Sequence, residues 1–191
     1  SYKESLKILK ETDALIEGHF ILSSGLHSDK YIQCAKLLSK PQKAKDLCQS
    51  LAEKINVNFN DFNLVLSPAV GGIVIGYEIG RLLNVETIFA ERVNKIFQLR
   101  RGFEIKKNHK ILIVEDVITT GKSSLECSVL AENLGAEIVG FASLIDRSNG
   151  KSKINKKIIS QVQIEIPTFT EEDIPEKIKR IKATKPGSRD L

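Results

Sequence analysis

Cysteine and histidine are scarce in this chain, three of each among 191 residues, and their spacing tells as much as their number. Cys34, Cys48 and Cys127 are odd in number and scattered, which excludes a disulfide framework and metal-like cysteine spacing. They read as reduced, mostly buried thiols of a cytoplasmic protein. His19, His27 and His109 include no pair one helical turn apart, so no side-chain metal cage is expected. Long apolar runs are missing as well. The best stretch, residues 68–77, is short and carries three glycines, which falls well under the length of a membrane span. No charged-then-apolar leader precedes a cleavage site, so export is not expected. The chain is basic, with a net charge of +5, yet no basic stripe interleaved with aromatics appears. Lys151, Lys153, Lys156 and Lys157 read as a solvated turn more than as an RNA site. Neither a membrane nor a nucleic-acid partner is expected, and the basic surplus suits anionic small molecules. The length fits one domain with a full core and a small appended element.

What is present is concentrated in the run Ile111-Leu112-Ile113-Val114-Glu115-Asp116-Val117-Ile118-Thr119-Thr120-Gly121-Lys122-Ser123. Its four leading apolar residues predict a buried parallel strand. Glu115 and Asp116 are expected to end that strand, a hydroxyl- and glycine-rich turn follows, and a helix is predicted over residues 124–133. The amides of such a turn, and the positive end of the helix after it, face a phosphate. The two carboxylates lie one step away, where ribose hydroxyls would sit. Gly121-Lys122-Ser123 imitates the tail of a Walker A loop, but Asp116 stands where that loop needs its first glycine. An aspartate there would repel the phosphates such a loop cradles. A structural strand with an exposed acidic end is the bland alternative.

The whole run resembles the phosphoribosyl-diphosphate (PRPP) signature of the type I phosphoribosyltransferases. That resemblance implies that Glu115 and Asp116 hold the ribose 2′- and 3′-hydroxyls, and that Thr119, Thr120, Gly121, Lys122 and Ser123 hold the 5′-phosphate, with Val117 and Ile118 leading into the loop. The chemistry agrees: the transferred ribosyl carbon becomes cation-like, so fixed negative charge beside the ring favours the transition state.

Along the chain, residues 2–16 predict a short amphipathic helix, and residues 18–34 extended chain around a turn. Pro41 opens a helix with Leu47, Leu51 and Ile55 on one face. A strand over 62–66, a tight turn over 67–72, a helix over 73–83 and a strand over 85–90 come next. Residues 91–104 are polar and basic. After the signature, Gly135 stops the helix, residues 137–145 return as a strand, residues 160–166 read as an edge strand, and residues 174–181 as a last helical turn or two. Strands alternating with helices imply an α/β fold, a parallel sheet flanked by helices. Ligands of such sheets sit beyond the strands' carboxyl ends, so segments 67–72, 92–102, 115–123 and 146–147 should converge on one rim. The expected organisation is one domain over 1–191, with a small N-terminal hood formed mainly by residues 1–40 and a possible C-terminal contribution.

Three weaker matches surround the signature. Ser67-Pro68-Ala69-Val70-Gly71-Gly72 resembles the family's pyrophosphate loop and implicates Val70 and Gly71; a lysine common in relatives is missing at Gly71, and a plain strand-to-helix turn is the alternative. Residues 91–103 fill the place of the family's mobile catalytic loop, a lid that excludes water and brings cations to the leaving group. Arg92 matches the arginine that starts this loop, and Lys95 is the expected loop cation. Arg100 and Arg101 are either a pyrophosphate clamp or a solvated hairpin face. Finally, residues 18–31 resemble the hood of the orotate-using members, with Tyr31 and Ile32 in the place of an aromatic pair and Ser23 where many relatives have lysine. Asp146-Arg147 matches the pair that meets the orotate carboxylate, which a guanidinium grips with two parallel hydrogen bonds, and Thr119 would also reach the base. The ending Lys185-Pro186-Gly187-Ser188-Arg189 also resembles a subgroup, without a mechanism attached.

The resemblance therefore implies transfer of a phosphoribosyl group from PRPP to orotate, with Mg²⁺ carried on PRPP oxygens and a homodimer. Two other readings stay open: a purine-using member on the same core, or a non-catalytic regulator that binds PRPP or RNA.

Overall fold

The computed structural model describes residues 1–22 and 24–186, which divide into two compact units. The larger, residues 41–164, holds a six-stranded sheet. Its strands are β3 (Leu64–Pro68), β4 (Glu86–Val93), β5 (Ile96–Leu99), β6 (Lys110–Ile118), β7 (Glu137–Asp146) and β8 (Ile158–Gln163), in the order β5-β4-β3-β6-β7-β8. All neighbours run parallel except the hairpin β4–β5.

The central strands carry almost unbroken apolar runs because both of their faces are covered. Ile111, Leu112, Ile113 and Val114 of β6 are all fully buried. Side chains alternate between faces along a strand. Ile111 and Ile113 join Leu64, Leu66 and Phe141 in one cluster with Cys127 and Ala131 of helix α5 (Lys122–Asn133). Helices α3 (Pro41–Asn58) and α4 (Gly72–Leu83) pack on each other and on the strands, and α3 buries Leu47, Leu51 and Ile55 as its spacing predicts. Asn84 ends α4 in the left-handed conformation, its N–H closing on the Gly80 carbonyl.

The smaller unit comprises residues 1–40 and those from 165 onward. It contains α1 (Tyr2–Glu11), a hairpin of β1 (Leu15–Ile21) and β2 (His27–Ile32), α2 (Cys34–Leu38), the short β9 (Thr168–Phe169) beside β2, and α6 (Glu176–Lys179). The predicted helix over 2–16 thus stops early: Thr12 caps it, and Leu15 and Ile16 pair with Ile32 and Tyr31 in the hairpin. Buried His19 sits between the Ile181 carbonyl oxygen (3.0 Å) and His27 Nδ1 (2.7 Å).

The largest departure from the sequence expectation is the stretch 91–99. It is not an open loop; β4 continues through Arg92 and turns directly into β5, an edge strand. The three cysteines are buried and form no disulfide. Among the described residues no helix is long and apolar enough to cross a membrane.

Candidate active site

Glu115 and Asp116 do not end their strand. β6 stays paired with β7 past them, Glu115 opposite Ser143 and Ile118 opposite Asp146, so the ladder outlasts the apolar run. Thr119 and Thr120 then turn the chain, and α5 begins at Lys122, two residues before its predicted start. Gly121 makes this possible. Its φ is +76°, and a Cβ there would meet Ile154 at 2.8 Å, so both conformation and space demand glycine. The turn is tied by Lys122 N–H to Thr120 Oγ1 at 3.3 Å and by Lys153 N–H to the Thr120 carbonyl at 3.0 Å. Among the described residues, no protein acceptor takes the N–H groups of Thr119, Thr120, Gly121 or Ser123. Unpaired amides at a helix start, with the helix dipole behind them, attract an anion.

The two acids are partly buried beside this loop. Glu115 accepts a hydrogen bond from the fully buried Ser124 hydroxyl. Burial pushes the Glu115 carboxyl up to about 7, with the Ser124 bond opposing the rise and the neighbouring Asp116 adding to it. Asp116 is also raised by burial, against hydrogen bonds from backbone N–H groups, including Val117 N–H to Oδ1 at 2.9 Å. A Cβ built on Gly71 would stand 2.8 and 2.9 Å from the two Asp116 carboxylate oxygens. The segment read as a pyrophosphate loop therefore runs beside Asp116, and only glycine at 71 lets the backbone come that close to the carboxylate. Val70 is exposed, the Ala69–Val70 peptide is cis, and Ala69 N–H is held by the Ala90 carbonyl at 2.8 Å.

Arg92 lies at the carboxyl end of β4, opposite Phe97 of β5. Its guanidinium donates to the Lys95 carbonyl (2.7 Å) and to Glu126 Oε2 of α5 (2.5 Å), and sits 4.1 Å from the Phe97 ring centroid. Asn94 and Lys95 form the hairpin turn with φ of 50° and 68°, the positive pair that a tight hairpin requires. Lys95 is exposed at its tip. Arg101 donates to Glu91 (2.9 and 3.1 Å) and lies over Phe89, so it belongs to the face of the hairpin; Arg100 is exposed.

At the end of β7, Asp146 is buried and accepts the Ser148 N–H at 2.8 Å, while Arg147 N–H donates to the Ile118 carbonyl at 2.9 Å. The Arg147 segment is thus stitched to the end of β6, next to Thr119. In the smaller unit, Tyr31 packs against Phe20 with ring centroids 5.7 Å apart, and Ile32 is buried. Ser23 and most of the 185–189 ending lie outside the described residues.

The segments after β3, β4, β6 and β7 accordingly share one end of the sheet. Two partners escape the sequence reading. Ser124 and Glu126 lie inside a predicted helix, and only folding brings them to Glu115 and Arg92. The Ser123-x-x-Glu126 spacing has the form of a helix capping box, but Glu126 pairs with Arg92 instead. Burial pushes the Cys48 thiol to about 12 and raises Cys127 further, which leaves neither a ready nucleophile.

Residues 36–177 match the phosphoribosyl transferase domain family. The chain is 44% identical to the orotate phosphoribosyltransferase of Carboxydothermus hydrogenoformans over 96% of both chains, and 44% identical to that of Erythrobacter litoralis over 98% of this chain and 97% of the relative. Among solved structures, orotate phosphoribosyltransferase from Aeropyrum pernix superposes with a TM-score of 0.73 at 22% identity, covering 83% of this chain and 92% of that one. Adenine phosphoribosyltransferase from Thermoanaerobacter pseudethanolicus gives a TM-score of 0.61 at 18% identity over 71% and 88%; at such identities these two likenesses speak to the fold. An α/β sheet with an anion-ready loop after its acidic strand, matched over nearly its whole length by curated relatives, places this chain in the orotate phosphoribosyltransferase family.

Proposed function

We infer that the chain transfers the 5-phosphoribosyl group of PRPP to orotate, giving orotidine 5′-phosphate and pyrophosphate, a step of pyrimidine nucleotide synthesis. The observation that carries this reading is the pairing of two carboxylates with a loop of unpaired amides at the end of β6. The Thr119–Ser123 amides and hydroxyls hold the 5′-phosphate. Glu115 and Asp116 hold the ribose diol and stabilise the cation-like ribosyl carbon as pyrophosphate departs. Val70 and Gly71 line the pyrophosphate side, supported by the approach of Gly71 to Asp116. Arg92 and Lys95 neutralise the leaving group; because Arg92 is engaged by Glu126 and the Lys95 carbonyl, it must exchange those bonds for phosphate oxygens. No protein base is needed, since the ring nitrogen of orotate is readily deprotonated.

On the acceptor side, Arg147 grips the orotate carboxylate and Thr119 reaches the base, supported by the backbone bond that joins their segments. The acceptor roles of Tyr31, Ile32 and Ser23 rest on the family resemblance alone. The two partly buried carboxylates Glu115 and Asp116 are oxygen donors that suit a hydrated cation arriving on PRPP. Mg²⁺ held by PRPP oxygens and water supplies charge neutralisation to the pyrophosphate. We assign a homodimer to the exposed apolar stripe of α4 and its approach: Val70, Val74 and Tyr77 are 82%, 52% and 65% exposed, an arrangement that marks an interface. Three buried cysteines outside any disulfide suit a reducing, cytoplasmic setting.

The test incubates the protein with PRPP, Mg²⁺ and orotate, adenine or uracil in separate reactions and follows nucleotide formation. Orotidine 5′-phosphate alone is expected, and Arg147→Ala should abolish turnover while leaving PRPP binding intact. Conversion of adenine instead of orotate would move the chain to the purine-using members. Binding of PRPP without conversion of any base would point to a regulator.

A further inference from the structure

Ser124 has no role in the proposed reaction, yet its side chain contacts one of the two acids. It sits in the first turn of α5, fully buried, and its hydroxyl donates to Glu115 Oε2. A buried hydroxyl is costly unless it is paired, and an alanine would serve a helix interior better. We infer that Ser124 is a positioning residue for the ribosyl-binding acid: it ties one carboxylate oxygen of Glu115 to α5 and so turns the other toward the ribose. This rests on the reading of Glu115 as a holder of the diol.

The geometry makes the contact consequential. Ser124 follows the phosphate loop by one residue, so α5 fixes the 5′-phosphate position and the Glu115 orientation through a single rigid element. The short C4′–C5′–O5′ linkage confines the distance between phosphate and diol to a narrow range, and a helix that sets both holds the two subsites within it. The groups around Glu115 are Asp116 beside it on β6, Ser124 and Cys127 from α5, and Ser143 at its register on β7. Arg92 and its partner Glu126 lie beyond Cys127 and do not act on Glu115, so Ser124 is the contact that favours the ionised carboxylate, while burial and Asp116 oppose it.

The experiment compares the pH profile of kcat/KM for PRPP in wild type, Ser124→Ala, Ser124→Thr and Glu115→Gln. That parameter reports ionisations of the free enzyme and of free PRPP, the latter common to every variant, so loss of the donor should move the acid limb of Ser124→Ala upward from that of wild type by about one pH unit. The defect should be several-fold near neutrality and close at alkaline pH, and Ser124→Thr should restore the wild-type limb. Thermal melts and binding of inorganic phosphate check that the loop stays folded. Should Ser124→Ala misfold, the limb of Ser124→Cys, a weaker donor, is expected between those of wild type and an undonated carboxyl. An unmoved acid limb in a folded Ser124→Ala, alongside a crippled Glu115→Gln, overturns the positioning role and leaves the diol reading standing. A Glu115→Gln enzyme as active as wild type overturns the diol reading itself, and this inference with it.

Discussion

A methyl group is enough to probe the wall beside Asp116. Gly71→Ala would place a carbon 2.8 Å from a carboxylate oxygen, so the acid must swing away or the loop must shift. The expected result is a fall in kcat/KM for PRPP of about tenfold or more, the effect of a misplaced catalytic group, with thermal stability changed little; steady-state kinetics and a melt check both. Glu115 offers a second residue-scale test, through pH. Its folded carboxyl at about 7 lies above the ordinary value of 4.5, so its contribution to stability is fully present below pH 4.5 and is lost as pH rises through 7. Glu115→Gln, which can still accept from Ser124, should therefore unfold at higher denaturant than wild type at pH 8, by about 2 kcal/mol after allowing for partial exposure. The gap should close near pH 4.5, and urea titrations across that range measure it. A variant more stable and less active is the signature of a site whose charge is held at a cost. The sequence names these acids, but their ionisation is invisible in it, because desolvation belongs to surroundings that the chain assembles later.

The β4–β5 hairpin sets the question at the scale of elements. The family resemblance gives residues 91–103 the place of a mobile lid, and in the structure Val93, Asn94, Lys95 and Ile96 form a tight turn with two positive φ angles. The alternation of Phe97 inward and Ile96 and Gln98 outward was there to be read as a strand. It was masked by the arginines, whose partners Glu91 and Glu126 become visible only in the fold. Lys95→Gly separates turn from charge, since glycine accepts that backbone conformation at no strain. The variant is expected to melt no lower than wild type and to lose about tenfold or more in kcat, the scale of one electrostatic contact to a developing charge, with KM for orotate little changed. If turnover survives, the leaving group is neutralised by Arg92 or Arg100 instead.

At the scale of the whole molecule, the stripe of Val70, Val74 and Tyr77 gives a test of assembly. If the stripe is the proposed dimer face, light scattering at micromolar concentration should find a dimer for wild type and a monomer for Tyr77→Asp, and the monomer should lose activity in step if the site draws on its partner; a monomeric wild type overturns the assignment. Core contacts between distant segments give a test of stability. A Cβ on Gly140 of β7 would collide with the Phe59 ring that follows α3. Gly140→Ala is therefore expected to cost about 1–3 kcal/mol, measurable by denaturant unfolding, without changing KM for either substrate.

The sequence by itself determined the elements whose causes are local. The apolar run of β6, the glycine turn and the body of α5 are contiguous, so periodicity and turn chemistry reveal them, and with them the loop after β6 and the two acids before it. Helix α3 with its buried face is legible for the same reason. Only the tertiary structure decided how far β6 runs beyond its apolar stretch, that residues 91–99 form a hairpin, that Gly71 faces Asp116, and that Ser124 and Glu126 reach Glu115 and Arg92. Each of those facts is a pairing between groups separated along the chain, and its energy exists only once folding has removed water from between them.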